Sequence, residues 1–413
     1  MRKKIFVKGP VLSQSGYGEQ ARFALRALRS REDLFDVYVQ PIPWGKTGWV
    51  WNDDEFRVWL DNRITETQVL LQHKQLQPDI SLQITIPNEF EKLCPVNIGY
   101  TAGIETTKCS PQWLPKCNDM DKVLVVSNHA KTSIVNTIAE ATNNQTGEKF
   151  PYRCETPVEV VWETTPRHEP EEIEGLNLEY ENNFLMVSQL GPRKNFENSL
   201  TWWVEEHVDQ EVGLVVKTNF KNNSVGDFTQ VEGHISSLLS KYKDRKCKVY
   251  LLHGDLTSGQ MTGLYRHPKV KALINISHGE GFGLPLFEAA REGLPIIATG
   301  WSGQLDFLHH EGKDYFQSVD YTLQPVQPQA HWPGVIEADS MWAFADQGSY
   351  KMTLRKTLKN LDECLETAQE LQTLLTSRFG TESLYKSFCS HFYDEEAQQQ
   401  MKEEIDSLLD DLL

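Results

Sequence analysis

Short apolar runs, rich in branched side chains, alternate along most of the chain with segments whose apolar residues recur at helical spacing. Residues 3–9 form such a run, and Ala21, Leu25 and Leu28 then fall on one helical face. Further strands are predicted at residues 36–42, 80–86, 96–103, 121–127, 158–164, 184–190, 213–219, 247–254, 270–277 and 294–300. Helices are predicted between them, among others at residues 129–142, 196–208, 231–244 and 284–293. This alternation predicts an α/β protein with two doubly wound parallel-sheet domains in tandem.

The alternation stops in the stretch TTPRHEPEEIEGLNLEYENN, which is rich in acids and poor in aliphatic residues. We therefore predict an N-terminal domain over residues 1–165, a linker over 166–183 and a C-terminal domain over 184–385. Residues 386–413 are predicted to form a helical tail. Its apolar stripe comprises Met401, Ile405, Leu408, Leu409 and Leu412. The acids of this tail predict either the solvated face of a docked helix or a partner-binding segment.

Charge, hydropathy and cysteine spacing argue against several classes of protein. The 413 residues carry a net charge of −17, and no apolar run approaches the length of a membrane span. The acidic balance disfavours a broad nucleic-acid-binding face. The apolar stretch Ile5–Val7 is too short for a signal peptide core, so we read it as part of the first strand. The seven cysteines form no CxxC pair, so we expect free thiols and a cytoplasmic location.

The most specific stretch is HGEGFGLPLFEAAREGLPIIATG, residues 278–300, which follows a predicted strand. Glu280 precedes a glycine-rich turn, and Glu288 lies about one turn into the helix that begins at Leu284 and Pro285. Backbone amides at such a helix start attract phosphate, and carboxylates accept hydrogen bonds from hydroxyls. The pattern predicts a ligand with both groups. The alternative is a pair of acids that only complements the helix dipole.

The residues from Glu280 to Gly300 resemble the E-x7-E signature of the family 4 retaining glycosyltransferases. The resemblance covers nearly the whole chain and implies the GT-B fold, in which two Rossmann-like domains face a cleft. It implies that Glu280 contacts hydroxyls of the donor hexose and that Glu288 binds the nucleotide ribose. It also implies that the turn between them binds the donor. The turn residues are Gly281, Phe282, Gly283 and Leu284.

A second match is VSQLGPRKNFENSL, residues 187–200. The family has an Arg and, five residues later, a Lys that together hold the donor diphosphate. The resemblance assigns the Lys role to Lys194. Gln189 stands at the Arg position, and the adjacent Arg193 is the candidate for the missing charge.

Two further elements come from the N-terminal half. Gly16 and Gly18 lie between the first strand and the first helix, where the family places a loop against donor phosphates and acceptor. A tight structural turn is the other interpretation. Many members of the family carry a His after the fourth strand. This chain has Glu105 in that region. Glu105 is a candidate for contacts to hydroxyls of the acceptor or donor sugar, and the alternative is an acid that caps a helix. His129 is interpreted as a helix-start or core residue rather than a catalytic one.

No metal site is predicted. Asp119 and Asp121 form a DxD pair, but they precede a strand, whereas a metal-binding pair should follow one.

Two smaller features stay open. Lys217 comes at the end of the predicted strand segment GLVVK, and its side chain is expected either to point into the cleft or to lie on the surface. Four tryptophans, Trp44, Trp49, Trp51 and Trp59, crowd one segment, where they fit an acceptor platform or a buried core.

The sequence therefore predicts a retaining glycosyltransferase that is metal-independent, needs no cofactor and moves a sugar from a nucleotide-sugar donor to an unknown acceptor. Two alternatives stay open. One is a glycosyltransferase acting on modified bases of DNA, which the acidic composition disfavours. The other is a sugar-nucleotide-binding subunit that has lost catalysis, which Gln189 and the missing His would explain.

Overall fold

The computed structural model describes residues 2–51, 53–143 and 145–393. The predicted apolar stripe of the tail, from Met401 to Leu412, lies outside the described residues. Of the helices that the structure describes, none combines the length and hydropathy that a bilayer crossing requires.

The N-terminal domain is a six-stranded parallel sheet with the order β2-β1-β3-β4-β5-β8. Its elements are β1 (Lys3–Gly9), α1 (Gly16–Arg29), β2 (Phe35–Pro41), α2 (Glu55–Gln72), β3 (Ile80–Ile84), β4 (Val96–Thr101), α3 (Trp113–Asn118), β5 (Lys122–Val125), α4 (Asn128–Val135), β6 (Ala139–Thr142), β7 (Lys149–Tyr152) and β8 (Val158–Val160). Helices start at polar caps: Ser15 accepts from the Gly18 N–H at α1, and Ser127 from the Ala130 N–H at α4.

The helix predicted over residues 129–142 is wrong in its second half. Helix α4 ends at Val135, and Ala139–Thr142 pairs antiparallel with Lys149–Tyr152. The Thr137 hydroxyl accepts a hydrogen bond from the Cys109 N–H, and this long-range contact anchors the chain where it leaves the helix. Tertiary contacts thus outweigh the helical pattern here.

The C-terminal domain contains a second six-stranded parallel sheet, in the order β11-β10-β9-β12-β13-β16. Its elements are β9 (Asn183–Gln189), α5 (Phe196–His207), β10 (Gly213–Asn219), α6 (Val225–Leu239), β11 (Lys248–Leu252), α7 (Ser258–Tyr265), β12 (Val270–Asn275), α8 (Leu284–Arg291), β13 (Ile296–Thr299), α9 (Leu305–Leu308), β14 (His309–His310), β15 (Lys313–Asp314), β16 (Gln317–Val319), β17 (Tyr321–Pro325), β18 (Met341–Ala345), α10 (Gln347–Lys359), α11 (Leu361–Arg378) and α12 (Thr381–Ser390). The strand order reverses between β9 and β12, which makes their carboxyl ends the switch point of the sheet.

Two segments of the second half return to the N-terminal domain. Helix α12 packs on α1 and on the first sheet, with the Phe388 ring 5.6 Å from the ring of Phe23. The connection between β17 and β18 reaches α3, where the Trp113 indole N–H donates to the Gly334 carbonyl at 2.9 Å. Val335 is buried in the same apolar cluster as Trp113. These contacts fix how the two sheets face each other across the cleft.

Candidate active site

The turn after β9 and the loop after β12 meet at the switch point of the second sheet. Pro192, Arg193 and Lys194 form one turn of 3₁₀-helix. Asn195 then adopts a left-handed conformation, which Asn tolerates better than most residues, and its side chain donates to the Ile276 carbonyl at 3.0 Å. The His278 N–H donates to the Arg193 carbonyl at 2.8 Å. The two loops are therefore held together by backbone and side-chain hydrogen bonds.

The Glu280 carboxylate is the centre of this site and is only 5% exposed. The Lys194 ammonium donates to both of its oxygens, at 2.6 and 2.8 Å. The Arg193 guanidinium donates to it at 2.9 Å, and the Asn275 amide at 3.0 Å. A buried carboxylate is costly unless it is paired, and here two cations and an amide satisfy it.

These contacts set the protonation states. Burial alone would raise the pKa of Glu280, but Lys194 and Arg193 outweigh it and hold that pKa well below its usual range. Burial lowers the pKa of Lys194, helped by the neighbouring charge of Arg193. Burial also opposes the charge of Arg193, but Glu105 and Glu280 overcome this and raise its pKa. The site at neutral pH therefore contains an ionised carboxylate between charged partners.

Glu105 brings the N-terminal domain to the site. Its carboxylate lies 3.3 Å from the Arg193 guanidinium, so Arg193 bridges a carboxylate from each domain. The approach is close, because a Cβ at Gly279 would lie 2.7 Å from the Glu105 carbonyl oxygen, and one at Gly281 would lie 2.8 Å from that of Ala102. Glycine at both positions is what allows the two lobes to meet.

In the turn before α8, Gly283 provides the backbone conformation that starts the helix, and Phe282 packs in the hydrophobic core. Gly283 has a φ of 95°, which favours glycine, and caps the helix that begins at Leu284. The Phe282 side chain is buried among the rings of Phe287, Phe307 and Phe379 and so anchors the turn in the core. Leu284 is half-buried at the first position of the helix.

Glu288 lies in a different environment from Glu280. The Tyr265 hydroxyl donates to its carboxylate at 3.2 Å. Burial and the charge of Glu19, partly offset by Arg291, raise the pKa of Glu288 to about 7. Glu163 is also buried, its Oε2 atom has no hydrogen-bond partner, and burial raises its pKa well above the usual value. The structure therefore gathers Glu280, Lys194, Arg193 and Glu105 at one point, and sets Glu288 in an interdomain carboxyl cluster.

The two glycines of the loop before α1, Gly16 and Gly18, also have different surroundings. A Cβ at Gly18 would lie 2.0 Å from the Ser13 carbonyl oxygen, so Gly18 is required by close packing. The buried Arg22 guanidinium donates to the Val11 and Ser13 carbonyls and fixes this loop. A Cβ at Gly16 would meet nothing within 4 Å, so Gly16 is the position of this loop that is open to a ligand.

A cavity of about 240 Å³ opens between the lobes, and Pro285 is the part of its lining that belongs to the stretch from Glu280 to Gly300. The N-terminal lobe contributes Gln14, and the C-terminal lobe contributes the ends of β9 and β10, the loop after β11, Met261 of α7 and Pro285 of α8. Lys217 lines the cavity and donates to the Gly254 carbonyl at 2.7 Å, and burial lowers its pKa. Gln189 lines it too, with its amide donating to the Phe220 carbonyl.

Some site residues escaped sequence reasoning. Asn275 is the last residue of β12, and a polar residue ending a buried strand is the signal that could have found it. Ser302 has a φ of 80° and accepts the Glu280 N–H at 2.8 Å, which fixes the Glu280 backbone. Nothing in its sequence context announces that role.

His129 and the two aspartates each have partners within the fold. His129 lies at the start of α4 with its ring 4.7 Å from Trp301, and burial lowers its pKa to about 4. Asp121 accepts the Asn97 N–H, and Asp119 pairs with Lys92. Among residues 2–51, 53–143 and 145–393, no three His, Cys, Asp or Glu side chains are grouped so that they could hold a metal ion.

No protein-family model and no curated protein matches the chain. Solved structures do resemble it. Anabaena HepE in complex with UDP and glucose has a TM-score of 0.59 at 12% identity, covering 95% of this chain and 99% of HepE. Sucrose-phosphate synthase from Thermosynechococcus elongatus has a TM-score of 0.58 at 11% identity, covering 98% and 100%. The E. coli trehalose-6-phosphate structure bound with UDP-2-fluoro glucose has a TM-score of 0.55 at 13% identity, covering 94% and 98%. The predicted GT-B fold is thereby confirmed.

Proposed function

We propose that this protein is a retaining, metal-independent glycosyltransferase that uses a nucleotide-sugar donor. The observation that carries the proposal is the Glu280 carboxylate, held by Lys194 and Arg193 at the switch point of the second sheet. Pro285, five residues after Glu280, lines an interlobe cavity. Ligands of open α/β sheets bind at such switch points. Structures with UDP or a UDP-sugar bound share the fold, which supports a donor of this class.

The nucleotide would occupy the cavity at the ends of β9, β10 and β11. The diphosphate would lie at the amides of residues 281–284, where the helix α8 begins with its partial positive charge. Lys194 comes from the neighbouring turn and would stabilise the charge that grows on the departing diphosphate. Gly16 would approach the same phosphates from the N-terminal lobe.

Glu280 would bind the sugar and would not act as an acid. Its lowered pKa keeps it ionised, so it accepts hydrogen bonds from sugar hydroxyls and has no proton to give. In the proposed reaction the glycosyl–phosphate bond breaks as the acceptor oxygen attacks the same face of the sugar. The departing phosphate takes the proton of the acceptor hydroxyl, so retention needs no base on the opposite face.

Glu288 would bind the ribose, and Glu105 would contact hydroxyls of the sugar or the acceptor. With a pKa of about 7, Glu288 both donates and accepts hydrogen bonds near neutral pH.

The cytoplasmic location of the protein stays a prediction from its sequence.

A second candidate is a subunit that binds the donor without transferring the sugar. Gln189 favours it, because an uncharged amide stands at the position where the resemblance to family 4 implies an Arg that holds the diphosphate. This candidate predicts the same donor binding but no release of nucleoside diphosphate.

The two candidates are separated by measuring binding and turnover on the same samples. UDP and UDP-glucose should raise the melting temperature of the wild type, because both bind only the native state. The wild type should also release UDP from UDP-glucose, and Glu280→Gln should reduce this release about 100-fold or more. The control is Glu366→Gln, an exposed position on α11. Binding without release favours the second candidate, and absence of both across a panel of nucleotide sugars contradicts the proposal.

A further inference from the structure

The segment of residues 44–51 carries two of the most exposed large apolar side chains of the described chain. Trp49 is 69% exposed and Trp51 is 89% exposed. An indole buries 150–250 Å² when it is covered, so two neighbouring uncovered ones mark a binding surface. We call residues 44–51 the tryptophan loop.

The tryptophan loop is bonded to the segment that precedes α1. The Gln14 N–H donates to the Gly48 carbonyl, and the Val50 N–H donates to the Leu12 carbonyl, so the loop pairs antiparallel with the segment before α1. Trp49 is the bridge partner of Ser13, and Trp51 follows two residues later with the Arg57 guanidinium 5.9 Å from the centre of its ring. The hydroxyls of Ser13 and Thr47 lie 2.7 Å apart and add a second tie.

Gln14 makes the loop continuous with the donor cavity, because it lies against Gly48 and also lines the cavity. A second connection runs through Tyr17, whose ring packs 4.3 Å from the ring of Trp44. The Tyr17 hydroxyl lies 2.8 Å from that of Thr101 and accepts the Ala102 N–H. Ala102 is the residue against which Gly281 packs. The loop therefore contacts the lining of the cavity and, through Tyr17 and Ala102, the turn that follows Glu280.

We propose that the tryptophan loop binds the acceptor and that the acceptor is a neutral saccharide chain; this inference rests on the proposed function. The flat apolar faces of sugar rings pack on indoles while their hydroxyls stay hydrated or bind polar side chains. The charges around the loop are of both signs, which favours a neutral ligand. Lys46 lies within the loop and the Arg57 guanidinium lies 5.9 Å from the centre of the Trp51 ring. Asp53, Asp54 and Glu55 follow the loop after one residue, and such acids repel anionic lipid headgroups and nucleic acid.

The test uses the full chain with maltotriose, cellotriose and N,N′,N″-triacetylchitotriose as probes, and saturation-transfer NMR as the readout. Wild-type protein should bind at least one probe. Trp49→Ala and Trp51→Ala should each weaken that binding about tenfold or more. Trp332→Ala is the matched control, because Trp332 is also 59% exposed but belongs to the C-terminal half. It should leave the binding unchanged.

UDP binding, followed by melting temperature, separates this inference from the proposed function. The Trp49 and Trp51 variants should retain the response of the wild type to UDP, which also shows that they are folded. Saccharide binding that both variants retain would overturn the inference. So would failure of the wild type to bind any of the three probes, or binding to phosphatidylglycerol vesicles that depends on the two tryptophans.

Discussion

The Lys194 ammonium lies 2.6 and 2.8 Å from the two carboxylate oxygens of Glu280, although 86 positions separate them in the chain. Two loops at the ends of neighbouring strands bring them together, and Arg193 adds the second cation. The pair is buried, so removing Glu280 would leave two cations without the carboxylate they share, and removing Lys194 would leave Arg193 as its one cation at hydrogen-bond distance.

Removing the ammonium should abolish most of the turnover. We expect Lys194→Met to lower the rate of UDP release from UDP-glucose about 100- to 1,000-fold, because the leaving diphosphate loses its main positive neighbour. Lys386→Met, at an exposed position on α12, is the control and should keep the wild-type rate. Full activity in the Lys194 variant would contradict the electrostatic role.

The ion pair between Glu105 and Arg193 should couple the two lobes. In a double-mutant cycle with Glu105→Gln and Arg193→Gln, we expect a coupling of about 1 kcal/mol in the free energy of unfolding, since both groups are largely buried. Chemical denaturation of the four proteins measures it. Additive effects of the two substitutions would show that the contact contributes nothing to stability.

The glycine-rich loop offers a matched pair of substitutions. Gly18→Ala should destabilise the protein by roughly 2–4 kcal/mol, because the new methyl group meets the Ser13 carbonyl. Gly16→Ala should leave stability unchanged or raise it by up to about 1 kcal/mol, since the space is open and the position is helical. Both are read from thermal unfolding. If Gly16 lies against the donor, its variant loses UDP affinity while keeping its stability.

The stability of the protein should depend on the ionisation of Glu288. Its folded-state pKa of about 7 lies above the ordinary value of 4.5, so folding favours its protonated form. That contribution is complete below about pH 4.5 and is lost as the pH rises through about 7.

Glu288→Gln should therefore be more stable than the wild type at pH 8 by about 1–3 kcal/mol, with little advantage at pH 4.5. Denaturant titrations at both pH values measure the difference. Glu366→Gln should show no such dependence. A constant difference between Glu288→Gln and the wild type at the two pH values would exclude the ionisation of Glu288 as its cause.

Turnover should not depend on a divalent cation. We expect UDP release to continue in excess EDTA, because in the proposed complex the amides at the start of α8 and Lys194 would neutralise the diphosphate. The measurement is the rate with EDTA and after adding back Mg²⁺ or Mn²⁺. A loss in EDTA that Mn²⁺ restores would refute metal independence.

Local patterns in the sequence determined the architecture. Alternating apolar runs and helical patterns predicted two parallel sheets, because strands buried on both faces need continuous apolar residues. The stretch from Glu280 to Gly300 predicted a loop and a helix start, since Gly283 and Pro285 have specific backbone requirements. The predicted helix over residues 129–142 is longer than α4, because the end of α4 depends on the distant contact between Thr137 and Cys109.

Only the tertiary structure decided which charges meet. Sequence spacing predicted that Glu280 and Glu288 bind one ligand, but it gave no indication of their different partners. Glu280 pairs with Lys194 and Arg193, whereas Glu288 accepts a hydrogen bond from Tyr265 and lies near Glu163. The reason is that a side chain's partners come from other strands and from the opposite lobe. Their distances, and therefore their pKa values, are set by packing rather than by position along the chain.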